Sequence, residues 1–293
     1  MNIIWFLPLG FFIGILSGFF GIGGGIILTP LLLILGFQPS VAIATSLMLT
    51  LGSTISSSIS HSKNKNVKWK ASFTIGIAGI VGSQVAVPLV LYLEGNSAAD
   101  IVISISYILL LGYFAYGFLF KKEKKNMRAS INQNQFFTLV LIGLFAGFIS
   151  SLMGVSGGFI ITPLLVSAAG YDLKKAVGTS VAAAFLIVFS GIVNYSLNSD
   201  VNYILGILLI VGAFMGAPVG ANLLNGFENA TVKKYLGWFY IAIAVSVIFE
   251  QMKLKEVSLI ILLSVTVGFL GILARRVFVD RKQQKKEQMR HAG

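Results

Sequence analysis

The sequence predicts an all-α polytopic membrane protein, and three observations carry that prediction. Hydrophobic residues fill 56% of its 293 positions against 11% charged. Mean hydropathy is +0.88. Several uncharged stretches reach the roughly 20 residues that a helix needs to cross the hydrocarbon core. So few charges cannot cover the surface of a water-soluble globule, and runs of this length exceed the roughly 10-residue alternating strands of an outer-membrane barrel. About nine spans are expected, near residues 3–20, 41–60, 72–93, 101–120, 136–153, 176–197, 203–224, 234–249 and 257–274. The first has no basic leader and no small-residue cleavage site, so it reads as a span and not as a removed signal peptide. Two further apolar pieces, 26–36 and 159–169, each follow a glycine cluster. At 1.5 Å per residue each extends only about 16 Å, half a membrane.

The short pieces decide the topology. If each returns the chain to the side it came from, as a re-entrant half-helix or a short second crossing, the basic residues divide sharply. Of the 22 Lys and Arg residues, all but Lys253 and Lys255 fall on one side: Lys63, Lys65, Lys68 and Lys70, the run KKEKKNMR at 121–128, Lys174, Lys175, Lys233, Lys234 and the tail from Arg275. The acidic residues divide evenly, as expected when only Lys and Arg orient the chain. The basic side is expected to be cytoplasmic, with the linker and C-terminus on it. The net charge of +12 is thereby assigned to orientation and anionic lipid headgroups, with no nucleic acid partner.

The chain also repeats itself. Gly21, Gly24, Gly25, Ile27, Thr29, Pro30, Leu31 and Leu32 recur as Gly154, Gly157, Gly158, Ile160, Thr162, Pro163, Leu164 and Leu165 at one constant offset. One residue later in spacing, Ala42, Thr45 and Ser46 recur as Ala176, Thr179 and Ser180, and Val81, Gly82 and Pro88 echo Val211, Gly212 and Pro218. On the topology above the first copy starts outside and the second inside, so the halves are inverted. The division is 1–120 for the first repeat, 121–135 for a basic linker, 136–250 for the second repeat, 251–279 for an added helix and 280–293 for a solvated, partly disordered basic tail. Inverted repeats with interrupted helices in matching positions point to a transporter and to its midplane site.

A chain break inside the membrane leaves backbone groups unpaired, which is tolerable only where protein or a water-filled cavity meets them. A half-helix then begins, and its first N–H groups and positive dipole end make an anion site. The candidate binding residues are therefore Gly23, Gly24 and Gly25 in the first copy and Ser156, Gly157 and Gly158 in the second, with the hydroxyls of Thr45, Ser46, Thr179 and Ser180 as uncharged donors. Gly21, Thr29, Pro30, Gly154, Thr162 and Pro163 are candidates for shaping or gating the site, because proline a turn into each half-helix keeps local backbone groups free. The competing role for the glycines is tight helix packing, and for the hydroxyls it is capping or interhelical bonding. Ser17, Gln84 and Asn194 are further polar candidates. Phe20, Phe159 and Trp5 are expected to shape or gate a cavity.

Cysteine is absent, which excludes disulfides, thiolate metal ligands and a protein persulfide. Asp, Glu, Lys and Arg are confined to loops and span ends, whereas proton relays and cation sites usually show ionisable groups inside the membrane. His61, matched by Tyr195 in the second repeat, is expected as an interfacial residue; the competing role is a proton-linked gate, disfavoured because the mirrored tyrosine does not titrate near neutrality. Neither metal nor cofactor is called for.

At these residues the chain resembles the sulfite and organosulfur anion exporters, the TauE/SafE type of membrane transporter. The resemblance rests on GIGGGIILTPLL at 21–32, GVSGGFIITPLL at 154–165, ATS at 44–46, GTS at 178–180 and the basic run at 121–128, and it covers nearly the whole span-bearing chain. It implies a bacterial inner-membrane carrier of small anions such as sulfite or sulfonates. Ser156, where the first copy has Gly23, departs from the pattern and adds a hydroxyl. The expected function is secondary transport of a small anion by alternating access. The alternatives are a membrane assembly component without transport, or a membrane enzyme, for which no constellation of nucleophile, acid or metal ligands is visible. Which anion, which direction, which coupling ion and which oligomeric state are left open.

Overall fold

The computed structural model describes residues 3–96, 98–120, 133–199 and 201–291, with backbone alone for 3, 133–135 and 277–291. The linker positions 121–132 lie outside the described residues. Within them the chain is helical throughout: α1 (Phe6–Phe20), α2 (Gly25–Ile34), α3 (Pro39–Lys63), α4 (Trp69–Gly95), α5 (Ala99–Phe120), α6 (Gln133–Met153), α7 (Gly158–Ser167), α8 (Leu173–Asn198), α9 (Tyr203–Leu223), α10 (Asn229–Gln251) and α11 (Lys255–His291). Eight are long and apolar enough to cross a membrane, and α1, α2 and α7 are shorter apolar helices. The later elements sit where the hydropathy and the glycine clusters place them, but the expected first span, 3–20, holds only the 15-residue α1, which is not among the eight. The tail also differs: its backbone continues α11 as a helix to His291, as suits a segment rich in the helix formers Gln, Lys, Glu, Met and Arg.

The packing follows small residues. On α1, Gly10, Gly14 and Gly18 recur every four residues and lie against Leu209, Ala213 and Ala217 of α9, while Gly212, Gly216 and Gly220 of α9 lie against α1 in return. In lipid the hydrophobic effect does not drive two helices together, so close backbone approach at such residues supplies the contact. Both sets of numbers rise together, so α1 and α9 run parallel. The mirrored pair behaves identically: Gly143 and Gly147 of α6 lie against Ile75 and Gly79 of α4, again in rising order.

The helices that meet their own counterparts show how the halves are related. Ser104 of α5 accepts a hydrogen bond from Gln251 of α10 at 2.7 Å, whereas Phe118 lies beside Tyr240 and Leu119 beside Gly237. Numbers rise along α5 as they fall along α10, so the two are antiparallel. Leu47 lies near Gly191, and Asn66, just past α3, lies near Gly178, so α3 and α8 are antiparallel too. A two-fold axis that reverses helix direction lies across the helices: the repeats are inverted.

The short helices double back. Met48, Gly52 and Ser56 of α3 meet Gly206, Ile210 and Phe214 of α9 in rising order, so α3 runs parallel to α9 and to α1. Gly25, at the start of α2, donates its N–H to Thr50 Oγ1 at 3.1 Å, whereas Thr29 lies with Ile43 beside Gly154. Thus α2 descends α3 from near its midpoint to its beginning, and the turn at 21–24 reverses the chain half-way across. In the second repeat α7 stands against α8 through Thr162 and Ser180, whose hydroxyls are 2.8 Å apart. Re-entrant half-helices, not short crossings, give the parity that gathers the basic residues on one side. Helix α11 stands outside the repeat and closes over α1 and α10, where Phe269 packs with Phe20, Tyr235 and Phe239.

Candidate functional site

Both breaks meet at the centre of the molecule. A Cβ added at Gly23 would strike the Ser156 side chain, one at Gly25 would strike the Gly154 carbonyl, and one at Gly158 would strike the Gly21 carbonyl. The two loops therefore interlock, each against its mirror image. Every residue of 16–34 and of 149–163 is buried, so this structure is closed on both sides. Gly21, Gly23, Gly154 and Gly157 all have positive φ, a left-handed conformation that costs glycine little. Ser156 occupies the position equivalent to Gly23, and the two touch across the axis. The space holds one side chain there, so a serine in one half requires a glycine in the other.

The hydrogen bonding of the loops separates engaged from disengaged donors. Gly25 N–H is taken by Thr50 Oγ1 and Gly158 N–H by the carbonyl and hydroxyl of Ser156. Ile27 and Leu28 bond back to Gly24, and Ile160 and Ile161 back to Gly157. Among the described residues, the N–H groups of Gly23, Gly24 and Ile26 have no protein acceptor, nor do those of Ser156, Gly157 and Phe159. Buried backbone donors are nearly always paired. Ile22 and Gly154 N–H, in the turns, also lack an acceptor, and the two sets of three lie at two half-helix N-termini, where the helix dipoles also favour negative charge. No residue of 16–34 or 149–163 is ionisable, so nothing in the loops competes for that role.

The hydroxyls of the two halves differ although their sequences match. Thr45 Oγ1 and Ser46 Oγ are buried without a protein partner. Thr179 Oγ1, by contrast, accepts from Lys68 N–H at 3.1 Å, and Ser180 Oγ meets Thr162 Oγ1 and donates to the Val177 carbonyl at 2.8 Å. In the first pair both hydroxyls are without any partner, whereas in the second Ser180 spends its hydrogen on Val177 and Thr179 is held through its oxygen. Thr29 donates to the Gly154 carbonyl at 3.3 Å, tying one half-helix to the opposite loop. Ser17 donates to Ser53 at 2.8 Å. Gln84 and Asn194 bond to each other at 3.0 Å on an exposed surface between α4 and α8, and the structure does not bring them to the loops. Phe20 and Phe159 are fully buried in aromatic clusters, whereas Trp5 is 67% exposed at the start of α1 and shapes no interior surface.

Two tyrosines that the residue patterns did not single out complete the site. A proline N cannot bond the carbonyl four residues earlier, so Pro163 frees the carbonyl of Phe159, and Tyr240 donates its hydroxyl to that carbonyl at 3.1 Å. In the other half, Tyr107 donates to the carbonyls of Gly25 at 3.3 Å and Met153 at 3.1 Å. Both rings are fully buried. Tyr107 and Tyr240 stand at the same offset as Gly21 and Gly154, so the repeat itself could have revealed them. His61 is also placed differently from expectation. It is fully buried, with Nε2 3.1 Å from the Gly18 carbonyl, because the end of α1 lies over it. Its counterpart Tyr195 donates to the carbonyl of Ser151 at 2.7 Å, the same contact in the other half.

Inverted repeats, two re-entrant half-helices and a buried polar centre define a multi-pass helical membrane protein built as transporters are built. The chain belongs to the TauE/SafE sulfite exporter family, whose model matches residues 6–247, and it is a membrane transporter of that family. It is 33% identical over 221 residues to the "Probable membrane transporter protein MJ0441" of Methanocaldococcus jannaschii, a match covering 72% of this chain and 79% of that one. It is 30% identical over 243 residues to the "Probable membrane transporter protein YtnM" of Bacillus subtilis, covering 79% of each, and 30% identical over 228 residues to YjnA of the same organism, covering 75% of this chain and 89% of that one. No solved structure matches the chain.

Proposed function

We propose that this protein is a secondary carrier that moves a small sulfur oxyanion, sulfite or a sulfonate, across the cell membrane by alternating access. The observation that carries the reading is the pair of disengaged N–H sets, Gly23, Gly24 and Ile26 in one loop and Ser156, Gly157 and Phe159 in the other, at two half-helix N-termini whose loops touch. Such donors bind an oxyanion without a fixed counter-charge, which favours release as well as capture. The hydroxyls of Thr45 and Ser46 add donors from one half, while Thr179 and Ser180 hold the other half's framework. Gly25 and Gly158 serve by letting the loops approach, and their own N–H groups stay within the protein.

Transport requires the interlocked loops to separate toward one side and then the other, which rocking of one inverted repeat against the other supplies. The family's name, sulfite exporter, and the donor chemistry both support this substrate class. With the Lys-rich ends cytoplasmic, in a bacterial inner membrane, the membrane potential favours anion exit by about 2.3 kcal/mol per charge per 100 mV. Radiolabelled sulfite or sulfonate is expected to leave proteoliposomes holding the protein at least about tenfold faster than protein-free liposomes, and to be slowed by competing sulfur oxyanions. Equal rates in the two vesicle types would end this reading.

A further inference from the structure

One face of α3 is polar from its middle to its Lys63 end. Ser46, Thr50, Ser53, Ser57 and His61 follow at steps of four, three, four and four, which places them on a single helical stripe, and all five are buried. The equivalent face of α8 reads Ser180, Ala184, Ile187, Gly191 and Tyr195. The repeat is thus broken in one respect: a hydroxyl track ending in an imidazole in one half, an apolar track ending in a phenol in the other.

Packing does not explain the polar version. Ala184, Ile187 and Gly191 fill the three middle positions in α8, and three atoms of the α3 stripe have no partner: Ser46 Oγ, Ser57 Oγ and His61 Nδ1. Ser57 stands one turn before His61. Since a carbonyl only accepts, the contact with Gly18 requires the proton on Nε2, which leaves Nδ1 as a buried lone pair. Tyr195 makes the equivalent contact and has no second site. The stripe reaches the candidate site at Thr50, whose Oγ1 holds Gly25 N–H, and His61 lies about 16 Å farther along the helix.

We propose that His61 Nδ1 binds a proton during the transport cycle, coupling anion passage to protons that enter from the Lys63 end of α3. The inference rests on the carrier reading above and adds its coupling ion; with one proton moved beside each singly charged anion the cycle carries no net charge, so the pH gradient replaces the membrane potential as its driving force. Nε2–H stays on the Gly18 carbonyl, so the proton enters and leaves through Nδ1 alone. Ser57 Oγ is the adjacent acceptor for Nδ1–H, and the hydroxyls of Ser53 and Ser17 continue toward the loops without a fixed charge. A protonated imidazole beside the anion's route offsets part of the cost of bringing a charge out of water. Among the helices packed on α3, α1 has no ionisable residue and α9 has none after Tyr203. The charged groups at this end are Lys63, Lys65 and Lys68, Lys70 at the start of α4 and, at the start of α8, Asp172, Lys174 and Lys175, while α2 and α6 carry none.

The test uses the full chain in proteoliposomes, with methanesulfonate as the anion because it does not titrate in the working range, and with a trapped pH dye. A one-unit pH gradient is expected to drive up to about tenfold accumulation for one proton per anion, with matching proton movement. His61→Tyr, which installs the residue of the other half, is expected to retain exchange at zero gradient but to lose accumulation and proton movement, and His61→Gln to do the same. Accumulation undiminished in either variant overturns the proposal. If the wild type moves neither methanesulfonate nor sulfite, the carrier reading itself fails. The proton site is then judged by nitrogen NMR of histidine-labelled protein in lipid nanodiscs. A His61 Nδ1 that protonates more readily when methanesulfonate is added upholds it, and an imidazole whose protonation does not respond to the anion overturns it.

Discussion

Gly25→Ala and Gly158→Ala are each expected to reduce anion flux by about 100-fold or more, equivalent to about 2.7 kcal/mol. The added methyl has nowhere to go. At Gly25 it meets the Gly154 carbonyl and the backbone of Val155, and at Gly158 the Gly21 carbonyl and Ser156 Oγ at 2.9 Å. Backbone cannot swing aside as a flexible side chain does, and overpacking of this kind typically costs about 1–3 kcal/mol. The cost falls on the closed arrangement in which the two loops interlock, a conformation the proposed cycle must pass through. Gly95→Ala is the control, because nothing lies within 4 Å of a Cβ there. Flux and membrane content measured side by side decide it: wild-type flux in both loop variants would show that the interlock plays no part in transport.

Tyr107→Phe is expected to lower the melting temperature in detergent by about 5 °C and flux by about tenfold, and Tyr240→Phe to do so to a smaller extent. Removing the hydroxyl leaves two buried carbonyls, Gly25 and Met153, without that donor in the first case and one, Phe159, in the second. A buried group left unsatisfied costs about 1–3 kcal/mol, and 1 kcal/mol shifts a midpoint by roughly 2–4 °C in a chain of this size. Because each tyrosine holds the backbone at the start of a half-helix, the loss also loosens the donors aimed at the centre. Melting temperatures within 1 °C of wild type in both variants would mean that the phenols are bystanders.

The tyrosines also mark the boundary of what the residues disclose in advance. Helix positions, the repeat, its inversion and the meeting of the glycine loops were all legible, because hydropathy, Gly-Pro punctuation and Lys/Arg placement act locally and leave a linear trace. What the trace omits is which polar group finds a partner. Thr45 and Ser46 are indistinguishable in pattern from Thr179 and Ser180, yet one pair is unengaged and the other bonds to Lys68, Thr162 and Val177. His61 reads as a helix-end residue because its burial comes from α1, distant in sequence, lying across it. Gly25 and Gly158 look like donors, but their N–H groups are consumed locally, and the adjacent Ile26 and Phe159 carry the disengaged amides instead. Side-chain identity said nothing of this, since any residue except proline supplies the same N–H.

The central claim is that two opposed half-helix N-termini hold an oxyanion between them through backbone hydrogens. Diffraction from crystals grown with selenite, a selenium analogue of sulfite located by its anomalous signal, tests it most directly. The account predicts one selenium on the repeat axis, its oxygens about 2.7–3.2 Å from the nitrogens of Gly23, Gly24 or Ile26 and of Ser156, Gly157 or Phe159. Selenium bound elsewhere, at the lysine-rich ends or on the polar surface of Gln84 and Asn194, with the glycine loops still interlocked, would contradict it.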